Sequence, residues 1–506
     1  MPFHLISMTP DDLIRTLAER WAVQEVPGRK VEGVYFDTFD WRLYREGLAL
    51  FVGREGGEQV WSLMERQSGR ILAVCRNDGE PGMASSLPEP MGSRLGPLME
   101  MRRLLPQVPV AGDLRLFSLL NEDGKTVLRL ECQESPANLP PLVRILPLRG
   151  YEDEALALEQ RLREEGAREV CPLDEALAAL GRRGGDYSSK LNFALQPHER
   201  ADLAAKHILL HLLGTIEANV EGVCNDTDSE FLHDLRVAVR RTRSALTQMK
   251  AVFEAGAVER YKAEFAWLGQ VTGPARDWDV FLLKFEDYSA NLPSGFREAL
   301  APFHRYLEQH QASDYRLLAD HLRSGRFRSL LQEWRGFLES QPSAATTPAN
   351  AGLSVKEVAS ARIHKMYRRV MREGRAIGDE SPAAELHELR KSCKKLRYLM
   401  EFFQSLYPAG RIGGLIKALK TLLDKLGDHQ DLQVQAGKLE AMAGEMRRSR
   451  AGTQTLLAMG MLIGELSQRQ RAERVHFSAA FAQFSQERNR ELFRELFRSN
   501  KEEVSG

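Results

Sequence analysis

A segment of eleven residues occurs twice in the chain, and this duplication limits the folds that the second half of the chain can adopt. HDLRVAVRRTR at 233–243 matches HELRKSCKKLR at 387–397, with histidine, acid, Leu-Arg, two adjacent cations and a final arginine at the same offsets. Further along, an aspartate follows each copy, Asp279 in RDWDV and Asp431 in DHQDL. Matches at this many positions indicate a duplicated structural unit.

From about residue 198 onward, apolar residues recur with the 3.6-residue period of amphipathic helices. LAAKHILLHLLGTIEANV, GGLIKALKTLLDKLGD and TLLAMGMLIGELSQRQRAE are examples. SQPSAATTPANAGLS at 340–354 has the composition of a linker. The sequence therefore predicts an all-α domain at 198–500, with repeat halves at about 198–340 and 353–500.

The first part of the chain, residues 1–195, is predicted to be an α+β domain. TPDDLIRTLAERW predicts a helix with Thr9 as N-cap, Pro10 in the first turn and Asp12 as capping-box acid. VEGVYFDT, GLALFVGRE, EQVWSLME, GRILAVC, KTVLRLECQ and PLVRILPL are β-like runs separated by turn residues. They predict antiparallel strands in a sheet or barrel. EDEALALEQRLREEGA and PLDEALAALGRRG predict helices that close this domain.

The composition excludes several classes of protein. A hydrophobic content of 43% and a charged content of 28% are typical of a soluble globular protein. No apolar run approaches the ~20 residues that span a bilayer, and MPFHLISMTPDD does not resemble a secretory signal. The five cysteines are scattered without a CxxC pair, which indicates a reducing compartment and neither disulfides nor zinc. We expect a cytoplasmic protein with no membrane partner, and the oligomeric state stays open.

The cations of the repeated segment lie at +3, +7 and +10 from each histidine. At 100° per residue, the histidine and these three positions fall within ~80° of arc on one helix face, beside a separate apolar face. Like charges at i,i+4 cost ~0.2–0.5 kcal/mol, so a stabilising surface helix would mix signs. A repeated cost of this kind indicates that a polyanion supplies the missing negative charge, and arginine and lysine side chains suit phosphate oxygens. The stripe residues are His233, Arg236, Arg240 and Arg243 in the first copy and His387, Arg390, Lys394 and Arg397 in the second.

Each of these features has a simpler alternative. A basic helix face can be solvated, or can be paired with acids on a neighbouring helix. A histidine can be a core or cap residue, and adjacent residues such as His233 and Asp234 project in different directions, which does not favour a metal site. We expect Asp279 and Asp431 to orient arginines of the stripes or to cap helices, and we predict no metal ligands.

The paired H-[DE]-L-R-x(3)-[RK]-[RK]-x-R helices, each followed by GPARDWDV or LGDHQDLQV, resemble the CHAD domain, the conserved histidine α-helical domain, over about 198–500. The resemblance implies two pseudo-symmetric four-helix bundles with basic faces that line a shared groove or pore. It also implies binding of inorganic polyphosphate. The matching residues are His233, Arg236, Arg240, Arg241, Arg243, His387, Arg390, Lys391, Lys394, Lys395 and Arg397. Further candidates on the first helix of each half, with ordinary surface charge as the alternative, are Lys206, His207, Arg362, Lys365 and Arg369.

YFDTFDWRLYREGLALFVGREGGEQVWSL at 35–63 and DYSSKLNFAL at 186–195 resemble the CYTH domain, the triphosphate tunnel fold. That resemblance implies carboxylates holding a divalent metal and cations gripping a triphosphate. The family's E-x-E-x-K motif is absent from PFHLISM, the expected first strand. Arg54, Glu131 and Lys190 remain as candidate tunnel charges, with Arg54 and Lys190 as candidate phosphate ligands. We therefore expect a tunnel-like fold without catalytic residues, metal or other cofactor.

The combined prediction is a cytoplasmic protein that binds inorganic polyphosphate without catalysis, with polyphosphate granules as one place of association. The first alternative is a metal-dependent tripolyphosphatase that acts through a divergent tunnel. The second alternative is a generic polyanion or nucleic-acid binder. Against nucleic acid, no aromatic residues interleave with the stripes to stack bases, and no helix-turn-helix signature is present.

Overall fold

The fold consists of two units that divide between Ser188 and Ser189. The first unit is built on strands and the second on helices. This confirms the predicted fold class, an antiparallel β domain followed by an all-α domain. The computed structural model describes residues 2–134, 140–191, 193–341, 348–378 and 381–497, without the side chains of residues 429 and 473–476.

The first unit contains one sheet whose nine described strands all pair antiparallel, in the order β5-β4-β3-β2-β6-β7-β8-β1-β9. The strands β5 and β9 are therefore the edges of this sheet. The strands are β1 Phe3–Leu5, β2 Ala22–Thr38, β3 Leu48–Glu55, β4 Glu58–Glu65, β5 Ile71–Arg76, β6 Leu104–Leu120, β7 Thr126–Glu134, β8 Leu142–Pro147 and β9 Arg168–Val170. The helices are α1 Pro10–Leu17, α2 Arg42–Arg45, α3 Met91–Met99, α4 Glu152–Glu164 and α5 Pro172–Ala179.

The two longest strands, β2 and β6, pair along most of their length in the middle of the sheet. Their register shifts between Val26 and Arg29, which leaves Pro27 and Gly28 out of the ladder. Pro27 has no N–H to donate there. A Cβ at Gly28 would lie 2.5 Å from the carbonyl oxygen of Leu114, so the close approach of the two strands at this bulge requires glycine.

Alternation along the strands divides their side chains between two faces of the sheet. Leu130 and Cys132 of β7 belong to a core cluster that α1 and α4 complete. Glu131 and Gln133 of the same strand line a cavity that is bordered by α5. The helices therefore cover opposite faces, and the α5 side retains an open volume.

The predicted elements of this unit are confirmed, whereas β6, β9, α2 and α3 were not predicted. Thr9 caps α1, since its side chain accepts a hydrogen bond from the Asp12 N–H at 3.2 Å. The six predicted strands are present, although β2 begins earlier, at Ala22. The strand β6 was not predicted because Pro106 and Pro109 interrupt its pattern, and the sequence analysis also missed α3.

The second unit consists of helices that follow the duplication. The repeated segments lie on α7 and α15, and each packs against the helix before it and the helix after it. The helices are α6 Ala201–Cys224, α7 Ser229–Gln248, α8 Ala255–Val271, α9 Gly273–Leu283, α10 Phe285–Ala290, α11 Ser294–Arg297, α12 Ala301–Arg323, α13 Gly325–Glu339, α14 Val355–Ala376, α15 Ala383–Phe402, α16 Ala409–Arg448, α17 Thr453–Phe484 and α18 Glu487–Phe497.

The two halves differ in the helix that follows each repeated segment. In the first half this helix is broken at Thr272 into α8 and α9, whereas in the second half α16 runs without a break from Ala409 to Arg448. The halves also share a core, because Phe281 and Phe303 of the first pack in one cluster with Leu439 and Met459 of the second. The repeat units therefore fold as one body rather than as independent bundles.

The predicted linker at 340–354 is only partly a linker. Residues 342–347 lie outside the described residues, as do the predicted final residues 498–500. The remainder is hydrogen-bonded to the helical unit, with Ala201 donating to the Leu353 carbonyl at 2.8 Å and Asn350 donating to the Ala251 carbonyl at 2.8 Å. Backbone groups paired in this way are part of the folded structure.

The long helices carry charged residues throughout their length. The α16 helix, for example, includes the run KALKTLLDKLGD. Across the described part of the chain, no helix combines the length and the apolar character needed to span a membrane.

Two glycines of α6 give a matched test of the packing between α6 and α7. A Cβ at Gly222 would lie 2.2 Å from the ring of Phe231, whereas a Cβ at Gly214 would have no atom within 4 Å. We expect Gly222→Ala to destabilise the helical unit by ~1–3 kcal/mol through overpacking. Gly214→Ala should stabilise it by ~0.5–1 kcal/mol, because alanine favours the helix. The measurement is the urea midpoint of the far-UV circular dichroism signal, and shifts in the same direction would contradict this account.

Candidate polyanion-binding site

The helices α7 and α15 each present the repeated segment beside a buried face. Asp228 caps α7, its side chain accepting from the N–H groups of Glu230 at 3.0 Å and Phe231 at 3.3 Å. Leu235 on α7 and Leu389 on α15 are fully buried, whereas the residue that follows each, Arg236 or Arg390, is half-buried. Burial of the apolar face fixes the rotation of each helix and so orients its basic face.

The structure brings the two basic faces together, because α7 and α15 pack against each other. Glu401 at the end of α15 lies between an arginine from each half. Its carboxylate accepts a hydrogen bond from Arg241 of α7 at 3.1 Å and lies 3.3 Å from the Nε of Arg397. This shared carboxylate compensates two like charges where the helices meet.

The field around Lys394 also shows that the two copies are adjacent. Burial, together with repulsion by the guanidinium groups of Arg390 and Arg240, lowers the pKa of Lys394 to about 8. Arg240 belongs to α7 and Arg390 to α15. Cations of both copies therefore repel the same ammonium group, as expected where like charges converge on a half-buried site.

In the first copy, the break between α8 and α9 supplies neutral partners. Arg236 donates to the Gly269 carbonyl at 3.2 Å and to the Thr272 hydroxyl at 2.9 Å. Carbonyls in the last turn of a helix lack intrahelical donors, so the end of α8 offers such an acceptor. The charge of Arg236 is not neutralised by these contacts, and burial lowers the pKa of its guanidinium.

In the second copy, acids take the place of these neutral partners. Arg390 pairs with Asp431 at 2.9 Å, and Lys391 pairs with Glu388 at 2.5 Å. The unbroken α16 leaves no helix end beside Arg390, and the Asp431 side chain fills that role. The alternative of pairing with acids on a neighbouring helix therefore applies to part of this copy, because Asp431 of α16 pairs with Arg390.

The two histidines differ in their surroundings. The Nδ1 of His233 lies 3.0 Å from a guanidinium nitrogen of Arg276. Arginine can only donate, so this nitrogen is the acceptor and a proton of the neutral ring resides on Nε2. Among the described residues, the buried Nδ1 of His387 has no hydrogen-bond partner.

The two aspartates that follow the repeats have different roles. Asp431 orients Arg390, as predicted. Asp279 is buried, accepts from Gln311 at 3.0 Å and Tyr315 at 2.9 Å, and lies 3.7 Å from Arg276. Burial raises the pKa of Asp279 to about 6. Asp279 therefore contacts no arginine of the stripe directly, but it helps hold the arginine that contacts His233.

Four of the predicted site residues have no acid within ion-pair distance in the described part of the chain. Two are exposed on α7, and two are half-buried on α15. Their charge is available to a ligand, whereas the charges of Arg241, Arg390, Lys391 and Arg397 are shared with acids. The four are Arg240, Arg243, Lys394 and Lys395.

A cleft of about 950 Å³ adjoins α15 at Lys395, the residue after Lys394 of the second stripe. Among the described residues, its lining contains no acidic side chain and includes several cations from both halves, most of them on α14. Arg362 and Arg369 are engaged there with Gln248 at 3.1 Å and with Glu373 at 2.6 Å. The cations of the lining are Lys250, Arg362, Lys365, Arg368, Arg369, Arg372 and Lys395.

Three of these cations were not predicted from the sequence, namely Lys250, Arg368 and Arg372. A signal for Arg368 and Arg372 was present in the spacing of the α14 cations. Arg362, Lys365, Arg369 and Arg372 follow one another at intervals of three, four and three residues, and Arg368 follows Lys365 by three. That spacing places them on one helix face. Lys250 follows the C-terminus of α7, and no local pattern associates it with α14.

The two candidates on α6 do not extend this surface. Lys206 is buried and donates to the Ser340 carbonyl at 2.6 Å, so its ammonium group is already engaged within the fold. His207 is exposed and lies against Phe193, with ring centroids 5.0 Å apart. We therefore leave both residues out of the site.

The candidate tunnel residues do not form one cluster within the β unit. Glu131 lines the cavity beside α5, Arg54 is exposed near the β3–β4 turn, and Lys190 belongs to the helical unit. Among the described residues, no three His, Cys, Asp or Glu side chains are arranged to hold a metal ion. The divalent metal that a CYTH domain would require therefore does not fit the residues present.

Comparisons with known proteins agree with the helical architecture. A family model described as CHAD domain matches residues 207–440. The crystal structure of the CHAD domain from the plant Ricinus communis is 25% identical, with a TM-score of 0.50, over 58% of this chain and 94% of that chain. PptA from Streptomyces chartreusis is 17% identical, with a TM-score of 0.44, over 56% of this chain and 99% of that one.

Two uncharacterized proteins from strains of Mycobacterium tuberculosis are each 28% identical over 207 residues, which is 40% of this chain. The match spans only 38% of the length of those relatives. The matched family region contains α7 and α15 and thus both copies of the repeated segment. This chain therefore contains a CHAD domain, which includes residues 207–440.

Proposed function

We propose that the helical unit binds inorganic polyphosphate without hydrolysing it. The observation that carries the proposal is the packing of α7 against α15, which brings Arg240 of α7 close enough to Lys394 of α15 for the two charges to repel. Arg243 and Lys395 lie on the same two helices and also have no acid partner in the described part of the chain. Polyphosphate is a linear polyanion, and its charges would satisfy cations that the fold brings together without acid partners. The CHAD domain supports this choice, since that family is associated with polyphosphate.

The residue types at this surface suit phosphate oxygens. Arginine offers a planar fork of N–H donors, and lysine offers a compact charge. Arg236, held by neutral groups, keeps its charge beside Arg240.

The α14 cleft supplies a continuation of the same surface. Lys395 lines this cleft, and Lys250 brings a cation of the first half into it. A chain of linked phosphates carries negative charge along its whole length. An extended series of cations therefore matches polyphosphate better than it matches a single phosphate ion. The proposed site therefore comprises the two stripes and the cleft.

Nucleic acid fits this surface less well. The aromatic residue that lines the cleft, Phe497, is fully buried and so offers no face on which a base can stack.

All five cysteines are free thiols, which suits the cytoplasm as the proposed location. Polyphosphate granules are the proposed place of association within it.

A double charge reversal tests the convergence of the two helices. We expect Arg240→Glu with Lys394→Glu to lower the affinity for long-chain polyphosphate at least 100-fold, because each charge-assisted contact contributes ~1.5–3 kcal/mol. Binding is measured by isothermal titration calorimetry at several salt concentrations, with circular dichroism to verify the helical fold. Phosphate release from tripolyphosphate with Mg²⁺ is followed in parallel, and we expect none.

The matched control is Arg305→Glu with Arg328→Glu. Both residues are exposed on α12 and α13, and neither has an acid partner in the described part of the chain. The change in net charge is the same, so near-native affinity is expected if the repeated helices are the site. Equal losses in the two variants would refute a localised site, and metal-dependent phosphate release would refute the non-catalytic proposal.

Binding should weaken as the pH rises through the pKa of Lys394, which is about 8 in the free protein. A bound polyanion raises this pKa, so above pH 8 binding requires proton uptake. We expect affinity to fall between pH 7 and pH 9 by up to about tenfold. Lys394→Arg keeps the charge throughout this range and should give a flat profile. If both proteins show the same pH dependence, Lys394 is not in the site.

The cleft can be tested separately from the stripes. Lys365→Glu with Arg372→Glu should weaken binding of long-chain polyphosphate about tenfold or more. Binding of tripolyphosphate, which is too short to occupy both regions, should change much less. The comparison uses titrations of both ligands under identical salt. Unchanged affinity for the long chain would confine the site to α7 and α15.

A further inference from the structure

The cavity of the β unit has a chemistry opposite to that of a phosphate tunnel. It has a volume of about 300 Å³ and lies between one face of the sheet and α5. Most of its lining is apolar, and the residues include Phe3, Phe51, Met64, Val110, Leu142 and Leu180. A pocket of this size and character is within the range that small organic ligands occupy.

Strand alternation determines which side chains face the cavity. Phe3 and Leu5 of β1, Val108 and Val110 of β6, and Glu131 and Gln133 of β7 each stand two residues apart and face the cavity. Their neighbours in the chain, such as Leu130 and Cys132, face the opposite core.

The charges in the lining do not fit a triphosphate. Among the described lining residues, Arg29 is the only cation, and its guanidinium is paired with Glu55. Glu131 and Glu175 also line the cavity, and neither carboxylate has a cationic partner in the described part of the chain. Arg144 stands opposite Glu131 in the ladder, but its guanidinium donates to the Gly69 carbonyl at 3.1 Å and lies over the ring of Phe3 rather than forming an ion pair. Two carboxylates outside ion pairs disfavour an anion and favour a cation.

Aromatic groups strengthen this preference. Tyr35 and Phe51 lie with ring centroids 5.1 Å apart at an interplanar angle of 57°, and both line the cavity. The face of an aromatic ring attracts a cation. Tyr35 is 7% exposed, and its hydroxyl has no hydrogen-bond partner among the described residues, so a ligand group can satisfy it.

We propose that this cavity binds an amphipathic organic cation, an ammonium group on an aromatic or branched aliphatic body. The body occupies the apolar lining, and the ammonium group lies near Glu131, Glu175 and the ring of Tyr35. The volume, about that of ten waters in the liquid, suits a ligand of roughly ten to fifteen non-hydrogen atoms. This site is independent of the polyphosphate surface proposed above.

Three probes with the same body and different head groups test the proposal on the full chain. They are 1-naphthylmethylammonium, neutral 1-naphthylmethanol and anionic 1-naphthylacetate, with affinities measured by isothermal titration calorimetry. We expect the ammonium to bind about tenfold or more tighter than the alcohol, and the anion to bind weakest. The proposal is overturned if the anion equals the ammonium, or if the ammonium does not bind at ~1 mM.

Two variants locate the binding. Glu131→Gln with Glu175→Gln keeps side-chain shape and should reduce the affinity of the ammonium to that of the alcohol, while the alcohol is unaffected. Ala176→Phe fills the cavity from α5 and should abolish binding of both. Ammonium binding that survives either variant unchanged contradicts the proposal. Polyphosphate affinity, measured in the same samples, should not change in any of them.

Discussion

In the helical unit, two cationic helices, α7 and α15, pack against each other, so the repulsion between their charges has to be compensated. Glu401 meets this requirement, because its carboxylate serves Arg241 of α7 and Arg397 of α15 together. The half-buried arginines of both stripes are held by partners inside the protein, whereas Arg240 and Arg243 stay exposed. Lys394 is the exception, because it is half-buried without an acid partner in the described chain. Its lowered pKa reflects the unfavourable burial of its charge near other cations. Internal compensation thus holds the helices together, and the charge that remains is left for a ligand.

The stripes could be predicted from the sequence because helix geometry relates residues that are close in the chain. The spacing of three and four residues placed the cations on one face, and the structure agrees. Glu401 could not be predicted as their counter-charge, since it lies 160 residues from Arg241 and joins it only through the contact between α7 and α15. For the same reason, Lys250 was not associated with the cations of α14.

The β unit shows the same limit in another form. Strands such as β4, at Glu58–Glu65, were predicted at their observed bounds because a turn closes each end. The strand β6 was missed because Pro106 and Pro109 argue against a central strand, yet β6 pairs with both β2 and β7. The apolar cavity also required the structure, since Phe3, Val110 and Glu131 come from three separated strands. The tunnel was expected because two short segments resemble the CYTH domain. The residues that line the cavity, by contrast, are brought together by the whole sheet.

The break at Thr272 makes the two copies of the repeat unequal in charge. On the first side Arg236 rests on a carbonyl and a hydroxyl, and on the second side Arg390 rests on the carboxylate of Asp431. A linear polyphosphate chain reads the same from either end, whereas the surface proposed to bind it does not. The polyphosphate chain therefore has two equivalent orientations on the protein. A second protein that bound beside only one stripe would contact the same ligand structure in both orientations. The difference between the two ends of this surface comes from the protein and not from the ligand.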